Sequence, residues 1–350
     1  MHRLVLSSLV SILLTGAFLP ASVHAAVLTY DANTGTAGAQ DGAGAGWNSS
    51  NTNFWDGAAN VVWPNTTGDE AVFGAGSGAA GTVTVGTVTA NAVTFNAPGS
   101  GNYTLSGGTI TLGGTSPTIA ANVNATINSI LAGTAGLTKT GTGTLTLSGS
   151  GAAMDLGTNG VTVTAGTLRL ARTSVPFDDG VFTAATPIKV ETGATLEVAG
   201  TWNTGSANVI TVNGGTLNFT NGVAADSSNY ANNLNLANAT VTGNGIRIGN
   251  ASHAQFVVAG DVGTTIGNSL VLVNASGGSA RTLALNVADG AAENDLVLSG
   301  ILYDYTGRGG NQVAKTGAGT SLLTGNNTFT GTVAVNGGRL VMGHQNALGA

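Results

Sequence analysis

Lys139-Thr-Gly-Thr-Gly-Thr-Leu-Thr-Leu-Ser-Gly149 is the stretch on which the fold turns. Its glycines could form a loop that cradles a ligand, or turns that let the chain fold back and stack. A phosphate-binding loop needs wider glycine spacing and a following helix whose amides face the anion. Here Thr144-Leu-Thr-Leu continues with the alternation of a strand, so that chemistry is excluded. As a stacking unit, the stretch places Leu145 and Leu147 on one buried face. The glycines supply left-handed turns, and Lys139 is expected as a solvated edge charge that discourages lateral pairing.

A second copy, Lys315-Thr-Gly-Ala-Gly-Thr-Ser-Leu-Leu-Thr-Gly325, starts 176 residues later and agrees at seven of eleven positions. The first copy runs on to Val161-Thr-Val-Thr-Ala-Gly-Thr-Leu and the second to Thr332-Val-Ala-Val-Asn-Gly-Gly-Arg-Leu. A four-residue insertion near Ser150 to Gly157 accounts for their different lengths. Between the copies, short alternating segments recur, among them Thr195-Leu-Glu-Val, Thr216-Leu-Asn-Phe and Leu270-Val-Leu-Val, and no amphipathic helix interrupts them. The glycines Gly166, Gly193 and Gly215 that precede such segments lie 27 and 22 residues apart, a solenoid period.

Composition agrees with a long stack of small residues. The chain has 56 glycines in 350 residues, with 7% charged and 5% aromatic residues. A net charge of −6 with scattered lysines and arginines argues against nucleic acid, which needs clustered cations. Arg3, the apolar run from Leu4 to Leu19 and Val23-His24-Ala25 read as a signal peptide over residues 1–25, cleaved after Ala25. An exported chain without cysteine fits a bacterial surface protein held by repeated packing. No later segment is long and apolar enough for a membrane-spanning helix.

Lys315 to Leu340 resembles the passenger-associated transport repeat, also called the autotransporter-associated β-strand repeat, of large bacterial exported proteins. Leu137 to Leu170 resembles it as well. The resemblance implies an all-β, right-handed parallel β-helix passenger, export through outer-membrane machinery, and a repeat that helps export or folding. It carries no catalytic residues. The expected organisation is a signal peptide over 1–25, an aromatic-rich N-terminal cap over 26–80 and a β-solenoid over 81–350, with the repeats clearest at 137–170 and 315–340. The chain stops within what looks like another repeat turn, so a fragment is expected, with the solenoid continuing beyond Ala350.

Candidate chemistry is sparse. Asp178-Asp179 with Arg247 and His253 could be set out as a glycosidase or lyase site, yet a polar loop explains the pair more simply. His253 and His344 do not make up a zinc site of usual composition. Asp31-Ala-Asn33-Thr-Gly35 and Asp289-Gly-Ala-Ala-Glu293-Asn-Asp295 could offer oxygens to calcium, but lack its loop patterns and read as exposed turns. Trp47, Trp55 and Trp63, with Phe54 and Phe73, either stack on sugars or plug the end of the solenoid, and the plug is favoured because a terminal rung must hide its apolar cross-section. No catalytic, cofactor-binding or metal residue is assigned. The expectation is a non-enzymatic surface passenger, secreted or held at the bacterial outer surface, with adhesion to surface glycans or matrix as its use. A carbohydrate-active β-helix enzyme or a sugar-binding module is the alternative.

Overall fold

The computed structural model describes residues 25–150, 154–172, 186–200, 209–220, 233–248, 254–272 and 280–350. The expected signal peptide therefore falls outside the described residues except for Ala25. Among the described residues there is no helix, and the strands form sheets of 15, 14 and 3 strands.

The opening stretch decides how the chain coils. Thr144–Leu147 lies parallel to Thr167–Leu170, which pairs with Thr195–Val198, which pairs with Thr216–Phe219. Register is kept at every step: Leu145, Leu168, Leu196 and Leu217 form one column, and Leu147, Leu170, Val198 and Phe219 another. All eight side chains are buried. The intervening Thr146, Arg169, Glu197 and Asn218 point to the opposite face and are half-buried. The other large sheet is built the same way, with Val161, Ile188, Ile210 and Leu234 in register. Strands of the two sheets alternate along the chain, and their inward residues share one apolar core. Ile246–Ile248, Leu270–Leu272 and Leu302–Asp304 pair as a third, smaller wall. This is the expected parallel β-solenoid. Each fully buried aliphatic side chain contributes about 1.5–3 kcal/mol, so the core is a sum of small, repeated terms.

The N-terminal end departs from the repeat. Val27–Tyr30 pairs in parallel with Glu70–Phe73 but antiparallel with Phe54–Trp55, which pairs antiparallel with Asn60–Val61. These are the only antiparallel pairings among the described strands, and they cover the edge of the first rung. Beneath them lie Tyr30, Trp47, Phe54, Trp63 and Phe73, all buried. Trp47 meets Trp63 edge to face with ring centroids 5.3 Å apart, and Phe54 meets Trp63 at 4.9 Å. The Trp63 indole donates to the Thr89 carbonyl at 2.9 Å, which satisfies its one polar atom. The aromatics plug the end of the rod. Trp47 and Trp63 have no exposed face on which a sugar could stack, and only Trp55 of the three is half-buried.

Rungs couple chiefly to their neighbours, so damage should stay local. Leu145→Ala is expected to cost about 2–5 kcal/mol. Limited proteolysis should detect new cleavage first within residues 120–190, with the second copy near Lys315 still protected. Cleavage appearing simultaneously along the whole chain would contradict a stack of nearest-neighbour rungs.

Candidate functional site

The structure corrects the expectation for Lys139. Leu137–Thr140 alternates buried and half-buried residues, and Lys139 occupies an inward position, in register with Ile119 on one side and Val163 on the other. It has 0% exposure. A buried ammonium needs acceptors, and the neighbouring turns provide them. Its Nζ donates to the carbonyl oxygens of Gly141 at 2.8 Å, Gly143 at 2.7 Å and Ala165 at 2.8 Å. The first two belong to the lysine's own Lys-Thr-Gly-Thr-Gly turn, and the third to the turn of the following rung. The glycines do cradle a ligand, but it is the chain's own cation, held by carbonyls.

The second copy is built alike. Lys315 is buried, in register with Leu285 and Val335. Its Nζ donates to Thr316 O at 2.8 Å, Gly317 O at 2.9 Å and Gly337 O at 3.1 Å. The third acceptor lies 26 residues after Lys139 but 22 after Lys315, so the cage closes across the insertion. In both copies that acceptor precedes a glycine with left-handed backbone, Gly166 at φ +60° and Gly338 at φ +65°. A Cβ on Gly166 would lie 2.6 Å from the Gly141 and Gly143 oxygens and 2.7 Å from Lys139 Nζ. Glycine is thus required there by both conformation and space. Burial pulls the Lys139 ammonium down to about 8, against the three carbonyls that favour its charged form. Burial also lowers Lys315, which the Asp295 carboxylate partly opposes.

The two acidic stretches are exposed, as expected, at Asn33, Gly35, Asp289 and Glu293, and the correction falls on one carboxylate in each. Asp31 is buried and does not sit on an exposed turn: its carboxylate accepts from Asn33 N at 2.9 Å, Gln40 N at 3.1 Å and Asn60 Nδ2 at 2.7 Å. Asp295 is buried as well, accepting from Gly290 N at 2.8 Å and Thr320 N at 2.7 Å. Both carboxylates hold turns together. Asp178, Asp179 and His253 lie outside the described residues. Arg247 stacks over the Tyr305 ring, 4.8 Å from its centroid, and His344 Nδ1 accepts from Asn346 N at 3.0 Å. Among the described residues, no three His, Asp or Glu side chains converge on a point that could hold a metal. The outer face of the sheet that contains Thr144–Leu147 bears a shallow groove of about 280 Å³, lined by Asn124, Thr126, Thr144, Thr146, Arg169 and Glu197 among others. Arg169 Nε and Glu197 Oε1 pair at 3.0 Å across adjacent rungs, and Thr220 Oγ1 donates to the same oxygen at 2.7 Å.

An exposed lysine is replaceable within about 0.5 kcal/mol, whereas Lys139→Met leaves buried carbonyls without their donor and should cost about 2–3 kcal/mol. The pH dependence has a definite sign. Folded Lys139 titrates near 8 and the unfolded side chain near 10.5, so between these values the unfolded chain binds more protons. Stability should therefore rise with pH across that window and level off above it. Urea midpoints of wild type and Lys139→Met, measured below, within and above the window, check both points: the variant should lose this component of the slope.

Both cages lie in stretches that the chain shares with known proteins. The passenger-associated-transport-repeat family matches residues 137–170 and 313–342. The chain is 34% identical over 346 residues to the Adhesin BmaC autotransporter of Brucella suis biovar 1 (strain 1330), a match that covers 91% of this chain. It spans 9% of that relative's length. No solved structure matches the chain. Each matched stretch begins with the strand that carries a buried lysine and ends with the strand after its third carbonyl. The chain therefore carries two passenger-associated transport repeats, each built around a caged lysine.

Proposed function

We propose that the chain is a length of exported passenger, a non-enzymatic rod whose repeats aid export or folding and whose outer faces serve adhesion at the bacterial surface. The observation that carries this reading is similarity to an adhesin autotransporter over nearly the whole chain, together with two repeats embedded in one continuous solenoid. Cleavage after Ala25 and passage through outer-membrane export machinery belong to the same reading. Among the described residues, no helix is long and apolar enough to cross a membrane. Catalysis has no place in it: the Asp178-Asp179 pair is read as a polar loop, and Arg247 packs on Tyr305.

Surface glycans or matrix are the partner class. The groove beside Arg169 and Glu197 presents hydroxyl, amide and charged groups and no aromatic ring, which suits hydrogen-bonded polar ligands better than stacking on sugar faces. Beads coated with residues 26–350 should bind matrix-coated surfaces or cultured cells above beads coated with heat-unfolded chain. Arg169→Ala should weaken binding about tenfold and leave the fold intact, because the ion pair is partly exposed. Asp178→Asn and Asp179→Asn should leave it unchanged. Turnover of a glycan by the wild type that disappears in either aspartate variant would overturn the non-enzymatic reading, and equal binding by unfolded chain would overturn the adhesive one.

A further inference from the structure

Backbone carbonyls, not side chains, form both lysine sites, and in each the oxygens come from two successive rungs. The turns that aim them depend on left-handed glycines: Gly141 and Gly166 in the first copy, Gly317 and Gly338 in the second. Such a backbone conformation does not need the lysine in order to form. The ammonium lies where the two turns come closest around Gly166, which leaves no room for a Cβ beside Lys139 Nζ and the Gly141 and Gly143 oxygens. Removing the cation would leave carbonyl dipoles facing one another across the rung boundary, while the ladder bonds on either side stayed in place.

We propose that each repeat contains a preformed primary-ammonium site, occupied in cis by Lys139 or Lys315, and that the occupied site locks the lysine's rung to the next one so that the two open together. This deepens the reading of the repeats as folding aids and is independent of the adhesive one, because the experiment reads local opening alone.

Native-state hydrogen exchange on the full chain provides the test. In Lys139→Ala, amides of residues 137–147 and 161–170 should exchange about 10- to 100-fold faster, by a common factor, with 313–342 unchanged. Lys315→Ala should do the reverse. Alanine removes three methylenes and the ammonium, so n-propylammonium ion should restore protection in Lys139→Ala, whereas 1-propanol, which fills the space without the charge, should not. Faster exchange confined to the lysine's own rung, or spread evenly over all rungs, would overturn the lock. Equal rescue by 1-propanol, or none by n-propylammonium, would overturn the preformed ammonium site. If Lys139→Ala does not fold, Lys315→Ala is read with the same two additives, since its cage has the same three-carbonyl geometry.

Discussion

A parallel strand in a solenoid has hydrogen-bond partners only in the rungs before and after it, so the structure depends on every rung keeping register with both. A slip of one residue would turn Leu145, Leu168, Leu196 and Leu217 outward and bring Thr146, Arg169, Glu197 and Asn218 into the core. The apolar columns resist such a slip of odd length. They resist a slip of two residues less well, because Leu147 would then replace Leu145 at little apolar cost. The lysine cage distinguishes these registers. Nζ reaches three carbonyls within 2.8 Å only when the turn at Ala165 sits directly over the turn at Gly141. A point-like, charge-assisted contact supplies positional information that interchangeable leucines lack.

The rod also has to deal with its N-terminal edge, where a bare parallel strand would offer unpaired amides and carbonyls to any other chain. The hairpin formed by Phe54–Trp55 and Asn60–Val61 pairs with that edge, and buried acids anchor the loops around it. Asp41 illustrates the balance. Burial pushes its carboxyl upward, but amides of Ala75 and Ser77 at 2.8 and 2.9 Å and the Tyr103 hydroxyl at 2.8 Å bring it below the usual aspartate value. Burial and the same carboxylate push the Tyr103 hydroxyl well above its ordinary value. The acid thus ties a loop to Tyr103, whose ring packs against Tyr30 and Phe73 of the plug, without any disulfide.

Much of this was legible in the sequence because the apolar signal is periodic. Alternation at Thr-Leu-Thr-Leu and Thr-Leu-Asn-Phe marks both the strand and its inner face, and the clustering of tryptophan near the start marks the plug. Lys139 was not legible in the same way, since a lysine in a turn-rich stretch is ordinarily solvated. Its signal was nonetheless present. Alternation puts Lys139 on the face of Leu137, and both copies place glycine two and four residues after the lysine, and again before the closing leucine. Asp31 and Asp295 left no such trace, because Asn60 and Thr320, on which their burial depends, lie 29 and 25 residues away in the chain. Sequence spacing alone does not bring those pairs together.

The two faces of each strand carry different burdens. Along the inner column of the sheet that contains Thr144–Leu147, the residue is leucine at four successive rungs; two positions further on it is Leu, Leu, Val and Phe, all apolar. The outward column between them reads Thr, Arg, Glu and Asn, changing charge and shape at every step. Neither the ladder nor the core constrains those outward positions, because alternation removes their side chains from the interior. The caged lysines strengthen the separation, since the one charged position that the two copies share lies inside. In the proposed passenger, the outward columns are therefore where recognition can vary from rung to rung while the inward columns, glycine turns and cages preserve the rod.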